Sequence, residues 1–78
     1  PAAGQLREVQ LRQGLEFRLA TVGGRALIGS TALLLTRDMS YSETNALAKE
    51  QEEAQLYAAM QSEIVMQVLR RLAGAPKP

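Results

Sequence analysis

Neither cysteine nor histidine occurs in these 78 residues. Without cysteine there is no disulfide frame, no thiolate metal site and no thiol nucleophile. Without histidine the chain lacks the commonest general base and the commonest metal ligand. Aromatics are scarce: Phe17, Tyr41 and Tyr57 are the whole set, too few for a platform on which bases stack. The net charge is +1, so the chain taken as a whole projects no large field toward nucleic acid or a membrane. No apolar run approaches the roughly 20 residues of a transmembrane helix, and no signal peptide is visible. The chain opens on Pro1 rather than Met, which points to a piece of a longer protein. Missing targeting signals then say nothing about where the parent protein resides.

What is present is one long periodic segment, Ala46 to Ala73. At about 100° per residue, Leu47, Ala54, Tyr57, Ala58, Ile64, Val65, Val68, Leu69 and Leu72 fall in one broad stripe, with Val65 at its centre. Lys49, Glu52, Glu53, Glu63, Arg70 and Arg71 fall opposite. Nearly every residue is a good helix former, with no Gly or Pro inside. Acidic residues near the start and Arg70-Arg71 at the end complement the helix dipole. The pattern predicts a helix over about 44–73, capped by Ser42, Thr44 or Asn45, with a left-handed Gly74 at its end and a flexible tail over 74–78.

Before it, two segments alternate at period two. Over about 6–21, Val9, Leu11, Leu15, Phe17 and Leu19 point one way and Glu8, Gln10, Arg12, Glu16 and Arg18 the other, as in a strand with one wet face. The run is long for a strand, and Gly14 is the expected place for a bulge. Gly23-Gly24 reads as a two-residue hairpin loop, followed by a second strand over about 26–40. Such a loop pairs Leu19 with Ile28, Leu15 with Ala32 and Gln13 with Leu34, which places Ile28, Ala32 and Leu34 on the core face and Leu27, Leu33, Leu35 and Met39 on the other. A slip of one residue exchanges the two sets, and the pattern leaves both open. Strand two is apolar on both faces, so one helix cannot cover it. The fold class is α+β: an antiparallel β-hairpin followed by one long amphipathic helix, as a single domain or domain fragment.

No catalytic constellation emerges. The serines have no histidine as base, and Gly23-Gly24 joins two strands rather than a strand and a helix, so no phosphate loop forms. The chain is read as no enzyme, with no cofactor. Glu50, Glu52 and Glu53 do not converge as a hard-cation site requires, so no metal site is assigned. Arg12 and Arg18 alternate with Glu8 and Glu16, which suits a solvent face better than a nucleic-acid track. Leu56 and Met60 lie four residues apart on the polar side of the helix. Single exposed apolar residues are ordinary, but this pair suggests a contact with another protein or with acyl chains.

Taken together, Arg37, Tyr41, Ala46-Leu47-Ala48-Lys49-Glu50, Glu52, Glu53, Leu56, Tyr57, Met60, Val65, Gln67 and Leu69-Arg70-Arg71-Leu72 form a pattern. It resembles the C-terminal part of the lipopolysaccharide-assembly lipoprotein LptE family, once called rare lipoprotein B, over nearly the whole chain. The resemblance implies a two-helix, roughly four-stranded fold, of which this chain would supply the hairpin and one helix. It implies an outer-membrane lipoprotein on the periplasmic side of Gram-negative bacteria, held by an N-terminal lipid anchor absent from this chain. It implies the LptD β-barrel as partner, which the protein plugs, and lipopolysaccharide as ligand. The family's ALAK lysine, implicated in lipopolysaccharide binding, falls on Lys49. A second basic position of some members falls near Ala2, which carries no charge. Two readings compete with this one. The first is a self-associating hairpin-helix module without a ligand. The second is a weak nucleic-acid binder, which the mixing of acids with bases disfavours.

Overall fold

The computed structural model describes residues 6–78. Pro1–Gly4, expected to fray, and Ala2 with them, lie outside the described residues. Strand β1, Leu6–Ala20, and strand β2, Ala26–Ser42, form a two-stranded antiparallel ribbon. A short 3₁₀ turn, Glu43–Asn45, leads into helix α1, Ala46–Ala73, which runs back along one face of the ribbon. The result is a rod of 61 × 17 × 16 Å.

The hairpin loop has three residues rather than the expected two. Thr21 and Arg25 close it, with the Thr21 N–H donating to the Arg25 carbonyl at 2.8 Å and the Gly24 N–H donating to the Thr21 carbonyl at 2.9 Å. Gly24 has φ +99° while Gly23 does not enter the positive region. That is the form in which a regular turn is followed by one left-handed residue, a position that favours glycine. The Thr21 hydroxyl also accepts the Arg25 N–H at 3.0 Å.

From this loop the register slips twice. Ala20 pairs with Ala26 and Leu19 with Ile28, as the sequence pattern had it for Leu19. Phe17 then pairs with Thr31, and the ladder runs unbroken to Leu6 opposite Ser42. Each slip leaves one extra β2 residue against β1, first at Leu27 and then within Gly29-Ser30. Gly14 is therefore no bulge: it sits opposite Leu34 in the regular ladder. At the second slip the Thr31 hydroxyl donates to the Gly29 carbonyl at 2.8 Å.

The slips decide what is core. Leu15 faces Leu33 and Gln13 faces Leu35, in place of Ala32 and Leu34. Leu33, Leu35 and Met39 consequently turn toward the helix, and Leu34 is left exposed on the outer face. The core is one cluster of Leu11, Met39 and Met60, with Leu35, Leu56 and Tyr57 packed on it. Leu33 and Ile64 are buried beside it.

The helix also meets the ribbon on a different face from the expected stripe. Met60 is 1% exposed, whereas Val65, the expected centre, is 50% exposed, and Leu47, Leu69 and Leu72 lie open as well. Met60 and Val65 differ by five residue steps, which places them roughly 140° apart around the axis. The inward face follows Leu56, Met60 and Ile64 at four-residue spacing, with Tyr57 and Val68 beside them. Helix α1 is thus apolar over two adjacent faces. A ribbon of two strands, about 4.8 Å apart, covers only one of them.

Neither helix end uses the expected device. Asn45 makes no side-chain capping bond, and Ser42 pairs its hydroxyl with that of Thr44 at 2.6 Å. Gly74 has φ −90° and is not left-handed, and its N–H donates to the Arg70 carbonyl at 3.1 Å.

Placing a carboxylate at a buried apolar position costs several kcal/mol, comparable to the whole stability of a small domain. Met60→Asp is therefore expected to abolish cooperative melting followed by circular dichroism. Val65→Asp should shift the midpoint little. The opposite ranking would mean the helix is rotated from the orientation described.

Candidate functional site

The open end of the hairpin, where the chain enters α1, gathers the polar groups that the sequence singles out. The 3₁₀ turn reverses the chain so that the first turn of the helix lies back against the end of β2. Lys49 Nζ lies 3.4 Å from Ser40 Oγ on that strand and 3.0 Å from Glu52 Oε1 one turn along the helix. Its side chain is only 19% exposed. The Lys49 stem is largely covered and its ammonium is already matched by Glu52.

Arg7, from β1, stands on the same end of the ribbon opposite Tyr41. Its guanidinium lies 5.4 Å from the Tyr41 ring centre and 3.7 Å from Glu43 Oε1. This end thus carries two cations, each with a carboxylate and each with a second contact, a hydroxyl for Lys49 and an aromatic face for Arg7. An ammonium beside a hydroxyl donor can receive an anionic oxygen such as that of a phosphate.

Leu56 and Met60 do not form the exposed apolar spot expected of them. Met60 is in the core and Leu56 packs against it, so the basis for assigning them to a partner surface is removed. The exposed apolar residues of the helix are Leu47, Val65, Met66, Leu69 and Leu72 instead. Leu15 and Phe17 of β1 with Ile64, Val65, Val68 and Leu69 of α1 line an apolar groove of ≈ 240 Å³.

Among the side-chain contacts that the sequence did not indicate, one ties the two layers. Arg37, in the middle of β2, reaches Glu63 of the helix at 2.6 Å while also donating to the Thr36 carbonyl at 2.8 Å. Arg37 pairs with Leu11 across the ribbon, so it rises from the helix-facing side and ties the two layers. The two residues lie 26 apart in sequence, and no local pattern connects them.

The family model described as LptE, lipopolysaccharide-assembly, matches residues 2–72. No curated protein and no solved structure matches the chain.

Both ends of the Arg37–Glu63 bridge are nearly half exposed, and pairs of that kind contribute modestly. A double-mutant cycle with Arg37→Met and Glu63→Gln, read by urea unfolding, is expected to give a coupling of about 0.5–1 kcal/mol. No measurable coupling would mean that the bridge does not hold helix to ribbon in solution.

Proposed function

The chain belongs to the LptE lipopolysaccharide-assembly family, and on that premise we propose that it binds lipopolysaccharide through Lys49 and seats against the LptD β-barrel as its plug. Membership gives the chain a role in lipopolysaccharide assembly; the ligand contact, the barrel and the location are the proposal. The observation that carries the ligand site is the setting of Lys49, whose ammonium stands between a strand hydroxyl and a carboxylate.

The reasoning is one of exchange. Lys49 is held by Glu52, and Arg7 by Glu43 at a longer distance. Partly exposed ion pairs are worth only about 0–1 kcal/mol. A phosphate of the lipid A or core region carries more charge than one carboxylate and also accepts from a hydroxyl. It would displace Glu52 at small cost, take the Lys49 ammonium, and use Ser40 as a second donor. Arg7 would supply a further cation at the same end. Glu52 then acts as an internal competitor that keeps Lys49 compensated until ligand arrives.

The full-length protein would be anchored by an N-terminal lipid at the periplasmic face of the outer membrane, with the rod inside the barrel. Leu47, Val65 and Met66 of α1 and Leu34 of β2 supply surface for the barrel wall. The same surface also favours the alternative, self-association without a ligand, and sedimentation of the chain by itself separates the two. A monomer supports the plug, and a tight dimer supports self-association.

Lys49→Glu is expected to lower affinity for lipopolysaccharide by roughly 1–3 kcal/mol at low salt, since a charge-assisted contact is lost and a repulsion gained. The difference should shrink as salt rises, with melting nearly unchanged. Glu52→Gln should do the reverse and tighten binding. Unchanged affinity in both variants at low salt would reject the site.

A further inference from the structure

The small net charge conceals a separation along the rod. Residues 17–37 and 64–78 contain no Asp or Glu and six cations, Arg18, Arg25, Arg37, Arg70, Arg71 and Lys77. The remainder holds all 8 acidic residues against Arg7, Arg12 and Lys49. In sequence the two acid-free segments are far apart. The fold lays the hairpin tip of the first beside the helix C-terminus of the second at one end: Leu19, Val22 and Leu27 of the hairpin share a groove of ≈ 470 Å³ with Leu72, Pro76 and Lys77.

One end of the 61 Å axis is therefore basic and the other acidic. Screening acts over about 8 Å at physiological ionic strength, so the acidic end does not cancel the field of the basic one. Among the described residues, Arg37 is the one member of the six with a carboxylate at ion-pair distance. The helix dipole accounts for Arg70 and Arg71. It does not account for Arg18, Arg25 or Lys77.

Apolar side chains crowd the same end. Val22 is fully exposed at the loop tip, and Leu69 and Leu72 are exposed on the last turns of α1. Cations alone suit any polyanion. Apolar groups among them favour a surface that presents anionic head groups over hydrocarbon.

We propose that the loop end of the rod docks on an anionic phospholipid surface. Val22 and the mouth of the groove enter the head-group layer, and Arg18, Arg25, Arg70, Arg71 and Lys77 meet the phosphates. This contact lies at the end of the rod opposite Lys49 and does not depend on the lipopolysaccharide reading.

The test is flotation of the chain with vesicles of phosphatidylcholine, alone or mixed with phosphatidylglycerol. Binding is expected with the mixed vesicles only, and should weaken as salt is raised. The chain has no Trp, so Val22→Trp gives a single reporter whose emission should shift to the blue on binding. Arg25 and Arg71 are exposed, so their replacement should leave the circular dichroism intact. Each basic residue near an anionic surface contributes about fivefold in affinity, so Arg25→Glu with Arg71→Glu should lose well over tenfold. Glu50→Gln, an exposed change at the opposite end, should bind the vesicles at least as well as the parent. The proposal is overturned by equal binding to neutral vesicles, by no binding at low salt, or by an undiminished double variant. It is also overturned if soluble polyglutamate displaces the chain completely and the Val22→Trp emission never shifts, which would indicate an acidic protein instead.

Discussion

A two-stranded ribbon is too narrow to cover a helix of 28 residues that is apolar on two faces, and most features of this molecule follow from that mismatch. The ribbon takes the face centred on Met60, and the face carrying Val65, Leu69 and Leu72 stays in water. Only five hydrophobic side chains are buried among the described residues: Leu11, Leu33, Met39, Met60 and Ile64. A core this small leaves little margin over the conformational entropy of ordering the chain. The Arg37–Glu63 bridge adds a polar tie where apolar cover is thin. The open face leaves a continuous apolar surface uncovered by the described residues.

The two ends of the rod differ because the chain reverses twice. The hairpin loop and the helix C-terminus meet at one end, the ribbon termini and the helix N-terminus at the other. Acidic residues favour a helix start and basic ones its end, so the helix is already polarised. The hairpin adds to that polarity rather than opposing it, since residues 17–37 carry no acid at all. At the acidic end, Lys49 and Arg7 are compensated by Glu52 and Glu43. At the basic end, Arg18, Arg25, Arg70, Arg71 and Lys77 face solvent without such partners among the described residues. A cation held by a neighbouring carboxylate suits selective exchange with a stronger anion. Cations left open suit a diffuse anionic surface.

Much of the architecture was legible without coordinates. Alternation from Val9 to Leu19, broken only at Gln13, marked a strand, the glycine pair at 23–24 marked the turn, and the uninterrupted helix formers after Asn45 marked the helix. These signals are local, because each depends on residues within one strand or a few helical turns. The loop was one residue longer than expected, but the slip at Leu27 restored the expected Leu19–Ile28 pair. The second slip, within Gly29-Ser30, had no local signal and reversed the core face of β2. The Lys49 position was legible through the ALAK block, but its partners were not, since Ser40 lies on another element.

The sequence by itself determined which elements form, in what order, and the charge each segment carries. It did not determine which faces meet. Helix α1 offers two apolar faces of comparable quality, and β2 offers apolar residues on both sides. Local pattern therefore assigns nearly equal weight to arrangements that differ by a rotation of the helix or a slip of the strand. The tertiary structure decided between them through contacts distant in sequence: beyond the Leu19–Ile28 pair, the extra β2 residue within Gly29-Ser30 turns Leu33, Leu35 and Met39 inward. Met60 and Leu56 then fill the space they frame, because close packing rewards the side chains that fit a particular gap rather than those that are merely apolar. Leu56 and Met60 passed from expected surface to core for that reason, and Val65 passed from expected core to surface.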